Sequence, residues 1–134
     1  MDNLLDNDVF ASIGTQKYYV EVRWRNGTLI MDEPESLSGQ DLGPDPYTTL
    51  LASLAGCTLS TLRMYISRKE WDIPEIRVAL NMYQSQDPLH TTIKRDISFP
   101  NLIDEDIKKR LLLIAQKCPV SKILENKITI NTSI

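Results

Sequence analysis

Alternating apolar and polar residues predict the first sheet of this chain. Apolar side chains occupy every second position in 18–24, and a β-like run follows over 28–31. The two runs are separated by Asn26-Gly27, a pair that favours the type I′ turn of a tight hairpin. The pattern therefore predicts an antiparallel β-hairpin near the start of the chain.

Three later runs alternate in the same way, over 76–82, 93–99 and 128–134. Gln86-Asp87-Pro88 lies between the first two runs and is typical of a turn. The second run carries Arg95 at one of its alternating positions, between isoleucines. We expect two antiparallel strands with one buried face, and a final strand at the C-terminus.

Residues 47–69 predict one long helix. On a helical wheel their apolar side chains cover more than half of the circumference, which is typical of a buried, central helix. Ala52, Gly56 and Ser60 stand four residues apart and form a narrow groove of small side chains. Either another helix of the same subunit or a matching helix across a dimer axis could pack into this groove.

A second helix is predicted from the Asp104 cap to Cys118, where Pro119 stops it, and 120–125 could form one further helical turn. The segment 32–46 holds five acidic residues, three prolines and two glycines, so it is expected to be an exposed loop. The predicted class is α+β, because no βαβ repeat is present.

Length and charge limit the possible domain organisation, partners and location of the chain. The 134 residues suit a flexible tail over 1–14 and a single domain over 15–134. A net charge of -3 without a basic cluster argues against nucleic acid as a partner. We expect no apolar run of bilayer length, and the acidic N-terminus lacks a basic secretion signal, so we expect no membrane partner and a cytoplasmic location.

The chain has two cysteines, Cys57 inside the long predicted helix and Cys118 at the end of the second. Neither position lowers a thiol pKa by itself, because Cys57 is far from its helix N-terminus and Cys118 is at a C-terminus. Buried cysteines are usually small hydrophobic residues, so packing and redox chemistry both stay open. Metal binding is disfavoured, since there is no C-x-x-C pair and His90 is the sole histidine.

Three motifs in a fixed order resemble the OsmC/Ohr family, in particular its OsmC-like branch. Gly43-Pro44-Asp45-Pro46-Tyr47 leads into Leu50-Leu51-Ala52-Ser53-Leu54-Ala55-Gly56-Cys57-Thr58, and Lys117-Cys118-Pro119-Val120 follows much later. The resemblance extends from about Tyr18 to the C-terminus. It implies an OsmC-like fold, in which antiparallel sheets pack on two long central helices in an intertwined homodimer.

The resemblance also implies a thiol peroxidase that reduces organic hydroperoxides in oxidative-stress defence. Cys57 matches the peroxidatic cysteine and Cys118 the resolving one. The Cys57 thiolate would attack the peroxide and become a sulfenic acid, Cys118 would condense with it to a disulfide, and an external dithiol would reduce both. Such a cycle requires no metal, haem or flavin cofactor.

In the family an arginine after the first strand holds the thiolate. Arg25 matches that motif, and Arg23 is the second candidate. The glutamate that commonly orients this arginine is replaced here by Tyr47-Thr48-Thr49, which removes a charged partner. An apolar substrate pocket near Cys57 is expected to involve four side chains: Trp24, Tyr47, Leu54 and Met64.

Two alternatives to the peroxidase stay open. A non-catalytic member of the family would bind an apolar or acyl ligand in the dimer cavity. A dithiol redox sensor would form a reversible Cys57–Cys118 disulfide without appreciable turnover.

Overall fold

The structure, a computed structural model, describes residues 2–134. The described part contains five strands and three α-helices. The chain divides into two compact units, one up to Leu50 and one from Leu51, where the sequence predicted a single domain over 15–134. One continuous helix crosses this boundary, and each unit is described by itself below.

The N-terminal unit is built on a three-stranded antiparallel sheet in the order β1-β2-β3. Its strands are β1 (Phe10–Ile13), β2 (Val20–Trp24) and β3 (Gly27–Met31). The predicted tail over 1–14 is therefore too long, because 10–13 pair with β2. Backbone pairing needs no alternating side chains, and all four β1 side chains are exposed, so the sequence pattern gave no signal for this strand.

The predicted hairpin is confirmed, but its turn differs. Trp24 pairs with Gly27, so the two loop residues are Arg25 and Asn26. Neither of them nor Gly27 has a positive φ, so the turn is not of type I′. Gly27 serves another purpose: a Cβ there would lie 2.7 Å from the Trp24 ring, which packs over this position.

The segment 32–46 folds back on itself around a buried carboxylate instead of forming a plain exposed loop. Asp32 is 2% exposed and accepts hydrogen bonds from the backbone N–H groups of Glu33 (2.8 Å), Gln40 (3.2 Å) and Leu42 (3.4 Å). A 3₁₀ turn, Glu35–Leu37, lies between them. One side chain thus holds both ends of this segment together.

We expect Asp32→Ala to lower the free energy of unfolding by about 1–3 kcal/mol, because three backbone donors lose their acceptor. Urea denaturation followed by circular dichroism measures this loss. The exposed Glu35 of the same segment provides the control, and Glu35→Ala should change the free energy by no more than about 0.5 kcal/mol. Equal stability of the two variants would contradict the bracing role of Asp32.

Helix α1 (Pro46–Lys69) matches the predicted long helix. Asp45 precedes Pro46 and caps the helix, since its carboxylate accepts from Thr48 N–H at 3.2 Å and its carbonyl from Thr49 N–H at 3.0 Å. Hydrogen bonds from Thr48 hold the pKa of Asp45 below its usual value. The helix start therefore has a carboxylate, although not at the position of the family's glutamate, and this carboxylate is already hydrogen-bonded as the helix cap.

One row of α1 is buried, formed by Leu54, Thr58, Leu62 and Ile66. By length and composition alone α1 is apolar enough to cross a membrane, and 22% of its most apolar 18-residue window is buried. The expectation that no apolar run approaches bilayer length is therefore wrong for this helix. Leu62 and Ile66 of its buried row nevertheless belong to the core of the C-terminal unit, as expected for a central helix.

The C-terminal unit contains a long antiparallel hairpin, β4 (Arg77–Gln86) and β5 (Leu89–Ser98), with the turn at Asp87-Pro88 as predicted. Away from the turn, one face of the hairpin is half-buried, through Val78, Leu80 and Met82 of β4 and Ile93, Arg95 and Ile97 of β5. Arg95 belongs to the half-buried face and pairs with Leu80. The prediction of two strands with one buried face is confirmed.

Two shorter helices complete this unit, α2 (Glu105–Ala115) and α3 (Pro119–Leu124). The core joins α1 and α2 with the segments that precede β4 and α2, through Leu62, Ile66, Ile73, Ile103, Leu111 and Ala115. The predicted final strand over 128–134 is absent, because this segment has no pairing partner among residues 2–134. Its alternating apolar side chains pack on no sheet.

Candidate functional site

The structure brings the two cysteine thiols together in the C-terminal unit. Cys57 lies on α1 and is half-buried, whereas Cys118 is fully buried. Each thiol shifts the pKa of the other, so the two side chains are neighbours in this unit. Both are free thiols, and neighbouring thiols are candidates for a disulfide.

The sequence predicted that Cys118 ends the second helix, and this prediction is wrong. Helix α2 stops at Ala115, and Cys118 is the N-cap residue of α3, with Pro119 as its first helical residue. The sequence placed the boundary wrongly because the apolar stripe of α2 continues through Cys118. The correction changes the electrostatics, since Cys118 stands at a helix N-terminus, where the backbone N–H groups of Val120 and Ser121 lower its pKa, and not at a C-terminus.

The two thiols titrate in opposite directions. Burial raises the pKa of Cys57, and its hydrogen bond to Cys118 raises it further. Burial also acts to raise the pKa of Cys118, but hydrogen bonds from Cys57, Ser121 and Val120 outweigh it and lower the pKa below its usual value. Of the two thiols, Cys118 is therefore the more acidic.

Arg95 connects the two cysteine-bearing segments and was not predicted as a site residue. Its Nη1 donates to Ser121 Oγ at 2.6 Å and to Thr58 Oγ1 at 3.0 Å. Thr58 follows Cys57 in α1 and is fully buried; Ser121, in α3, is 4% exposed. Ser121 is also one of the residues that lower the pKa of the Cys118 thiol.

A signal for this network was present in the sequence. An arginine between isoleucines in an alternating strand occupies the buried face, where a charge needs partners. Since buried hydroxyls also need hydrogen bonds, Thr58 and Ser121 would be natural partners once the fold is known. The sequence alone could not identify them, because 37 and 26 residues separate them from Arg95.

A cavity of about 610 Å³ adjoins this network within the C-terminal unit. Its wall includes Arg95 and Ser121, and its apolar residues include Leu54, Ile93, Ile97, Leu112 and Leu124. Met64 instead lines a separate cavity of about 590 Å³ beside Arg63 and Pro74. Of the predicted pocket residues in this unit, the structure thus places Leu54 and Met64 in different cavities.

The remaining predicted site residues belong to the N-terminal unit. Arg25 is exposed in the hairpin turn, and Arg23 is exposed on β2. Trp24 and Arg25 line a cavity of about 380 Å³ together with Leu4 and Leu5. Tyr47 lies in the first turn of α1, is 67% exposed and lines none of these three cavities.

The donor set of the site favours thiol chemistry over metal binding. Among residues 2–134, no group of three or more His, Cys, Asp and Glu side chains converges as metal ligands would. Two thiols alone supply half of the four ligands of a structural zinc site. Two neighbouring thiols can instead be oxidised to a disulfide and reduced again.

Residues 39–133 match the family model described as OsmC-like protein. A search of curated protein sequences finds no match. The family match covers α1 with Cys57, the β4–β5 hairpin and α3 with Cys118.

Several solved structures share the fold. A protein from Psychrobacter arcticus, proposed to be induced by osmotic stress and to act in detoxification, has a TM-score of 0.75 at 21% identity, over 92% of this chain and 91% of that one. An organic hydroperoxide resistance protein OsmC from Legionella pneumophila has a TM-score of 0.68 at 17% identity, over 92% and 91%.

The organic hydroperoxide resistance protein OhrB of Bacillus subtilis has a TM-score of 0.66 at 18% identity, over 90% of this chain and 91% of that one. At such identities the likeness shows the fold alone. The predicted α+β class with the OsmC-like fold is confirmed.

Proposed function

The chain belongs to the OsmC-like protein family, and from this premise we propose that it is a cysteine-based peroxidase that reduces organic hydroperoxides in oxidative-stress defence. The observation that carries the proposal is that Cys57 of α1 and Cys118 at the start of α3 are neighbouring free thiols. Some structural neighbours are named organic hydroperoxide resistance proteins, which supports this substrate class.

The different acidities of the two thiols suggest a role for each sulfur. Cys118 as thiolate accepts the proton of Cys57, and the resulting Cys57 thiolate attacks the terminal peroxide oxygen. The O–O bond breaks, Cys57 becomes a sulfenic acid, and the alkoxide leaves as an alcohol after taking the proton back from Cys118. The Cys118 thiolate then attacks the Cys57 sulfur, hydroxide leaves as water on protonation, and a disulfide forms.

An external dithiol completes the cycle by reducing the disulfide to two thiols while it is itself oxidised. The half-buried Cys57 suits attack on a substrate, since Cys118 is fully enclosed. The free thiols suit the reducing cytoplasm, the location that we propose.

The catalytic cation and the substrate contacts are proposed from the family motif. Arg25 is the candidate for polarising the peroxide, with Arg23 as the second choice. Because Tyr47 stands where the family commonly has glutamate and Asp45 serves as a helix cap, this arginine has no dedicated carboxylate in our scheme. Leu54, Met64, Trp24 and Tyr47 are the proposed apolar contacts of the substrate.

A homodimer is proposed as the working unit. Helix α1 is apolar on most faces but buries one row in the chain, and Ala52, Gly56 and Ser60 are exposed. A Cβ on Gly56 would meet nothing within 4 Å. Such an open, narrow groove on an apolar helix supports close packing against the same helix of a second copy.

Substitutions of Gly56 test whether a second copy packs on this groove. If the groove faced water, Gly56→Ala would raise helix stability by up to about 1 kcal/mol. If a second α1 packs there, we expect Gly56→Leu to shift the protein from twice 15.3 kDa towards the mass of one chain in sedimentation. A wild-type protein that sediments as a monomer would contradict the dimer.

The peroxidase is tested by mixing the reduced protein with cumene hydroperoxide and a dithiol and following peroxide consumption. We expect turnover and, without reductant, a protein lighter by two hydrogens. The double variant Cys57→Ala/Cys118→Ala is the control. A wild type that is no faster than this control would reject the proposal; an apolar ligand in native mass spectra would then indicate a binding protein, and a disulfide without turnover a sensor.

A further inference from the structure

Arg95 carries a half-buried positive charge that no acidic side chain balances. Two ion pairs lie within 4.0 Å among residues 2–134, and neither includes Arg95. Its hydrogen bonds go to two neutral hydroxyls, those of Thr58 and Ser121. Because a charge that is removed from water is costly without a counter-charge, this guanidinium calls for an anionic partner from outside the chain.

The hydroxyl contacts hold the guanidinium in place and leave one of its edges unused. Nη1 donates to Ser121 Oγ at 2.6 Å and to Thr58 Oγ1 at 3.0 Å, and both hydroxyls are buried. Thr58 is itself fixed, since its hydroxyl donates to the Leu54 carbonyl at 2.7 Å. The guanidinium is therefore anchored through a single nitrogen.

Nε and Nη2 of Arg95 form the free edge. Neither nitrogen makes a hydrogen bond to any residue in the part of the chain that the structure describes. No buried side-chain nitrogen or oxygen among residues 2–134 lacks a partner, so these two unused nitrogens are accessible from outside. A fixed guanidinium with two free, parallel N–H donors has the geometry for bidentate binding of a carboxylate.

A cavity with apolar walls adjoins this guanidinium. The 610 Å³ cavity of the C-terminal unit is lined by both Arg95 and Ser121, so the anchored nitrogen lies at its wall. The three α-helices and β5 supply its apolar side chains, which are Leu54, Ile93, Ile97, Leu112, Ala115 and Leu124. Sites for small molecules typically have about 300–1,000 Å³ and combine apolar walls with a few fixed polar groups.

We propose that this cavity binds an amphiphilic monocarboxylate, whose carboxylate pairs with Nε and Nη2 of Arg95 and whose apolar chain lies between β5 and the helices. A single cation balances the one negative charge of a carboxylate but only half the charge of a phosphate monoester. The other charged or titratable side chains of the wall, His90 and Glu125, are exposed, so water screens them from the ligand.

A neighbouring cavity is the alternative place for the apolar chain. This second cavity has a volume of about 730 Å³ and shares Arg95, Ile97 and Leu112 with the first. Ser121 is absent from its wall, so the anchored nitrogen of Arg95 is tied to the first cavity and not to the second. Leu124 lines the first cavity alone and Leu102 the second alone, which allows the two to be distinguished.

The headgroup is tested by calorimetric titration of the reduced protein with octanoate and with 1-octanol near neutral pH. We expect octanoate to bind roughly ten- to a hundredfold more tightly, because octanol cannot form the charge-assisted pair. Arg95→Met should lose this factor for octanoate and keep its affinity for octanol. The matched control is Lys94→Met, which removes the adjacent, exposed charge of β5 and alters neither cavity.

The position of the apolar chain is tested with two substitutions. Leu124→Trp narrows the first cavity and should weaken octanoate and octanol by about the same factor, whereas Leu102→Trp should change neither affinity. The reverse pattern would place the chain in the second cavity and contradict the proposed site.

Three results of the calorimetry would overturn the inference: no binding of octanoate, equal affinities for octanoate and octanol, or an unchanged octanoate affinity in Arg95→Met. Tighter binding of octyl phosphate than of octanoate would overturn the choice of a carboxylate. Should Arg95→Met not fold, the comparison of octanoate with octanol on the wild type still decides, and Arg95→Lys, which keeps the charge but loses the fork, should weaken octanoate alone.

This site goes beyond the proposed peroxidase activity, since the titrations need neither peroxide nor turnover. A chain that binds octanoate through Arg95 but reduces no peroxide would leave the binding site standing. A chain that reduces cumene hydroperoxide but binds no octanoate would lose the site and keep the peroxidase.

Discussion

Replacing Cys118 by serine should leave one round of peroxide reduction, whereas replacing Cys57 should leave none. Without reductant, Cys118→Ser is expected to consume one equivalent of cumene hydroperoxide per chain and to stop as a Cys57 sulfenic acid. Cys57→Ser should consume no peroxide above the background rate, because the attacking sulfur is missing. Rapid mixing with limiting peroxide measures both amplitudes.

Dimedone labelling followed by peptide mass spectrometry locates the sulfenic acid. We expect the label on Cys57 in Cys118→Ser and no label in Cys57→Ser. The opposite result would follow if Cys118 attacked the peroxide, since the lowered pKa of Cys118 and the raised pKa of Cys57 make Cys118 the more acidic thiol. A label on Cys118 in Cys57→Ser, with none in the other variant, would reverse the proposed roles.

The roles of the two cysteines are the point on which sequence and structure differ most. Motif order assigns attack to Cys57, while local hydrogen bonds make Cys118 the more acidic thiol. The two statements are compatible if Cys118 removes the proton of Cys57 during attack, because base and later nucleophile are then one residue. The scheme thus gives the resolving cysteine a function before resolution begins.

The fold was largely predictable because its elements follow simple periods. The hairpins at 20–31 and 77–98 alternate with period two, and α1 is apolar on most faces. The exceptions are segments in which backbone partners decide the structure. The strand Phe10–Ile13 pairs without an amphipathic pattern, and 128–134 alternates without finding a partner in the chain.

The candidate site was predictable at its sulfurs and not at its cation. Cys57 and Cys118 belong to motifs that can be read along the chain, so their association could be expected. Arg95 acquires its partners through contacts across 26 and 37 residues, and no local pattern specifies those. The alternating sequence pattern places Arg95 on the inner face of its strand, but its role depends on which hydroxyls the fold brings to it.

The helix boundary at Cys118 shows the same limit on a smaller scale. An apolar stripe continues from α2 through Cys118, so periodicity alone favours one helix ending at Pro119. The backbone in fact leaves α2 after Ala115 and starts α3 at Pro119, with Cys118 as the cap. Proline fits the first helical position, and this reading would have predicted the N–H groups at the sulfur.

The core that carries α1 should be the most sensitive to truncation. Leu62 is fully buried and belongs to the cluster with Ile66, Leu111 and Ala115. We expect Leu62→Ala to lower the free energy of unfolding by about 2–5 kcal/mol, because transfer energy is lost and a cavity remains. The melting temperature of the reduced protein should fall by roughly 10 °C or more.

Leu102, which is fully exposed, provides the matched control, and Leu102→Ala should stay within about 0.5 kcal/mol of wild type. Oxidation adds a second comparison. A Cys57–Cys118 disulfide would close a loop of about 60 residues and so stabilise Leu62→Ala by about 2–4 kcal/mol relative to its reduced form. If the oxidised variant were less stable than the reduced one, the disulfide would strain the packing of α1, and the thiol contact would not represent a geometry ready for bonding.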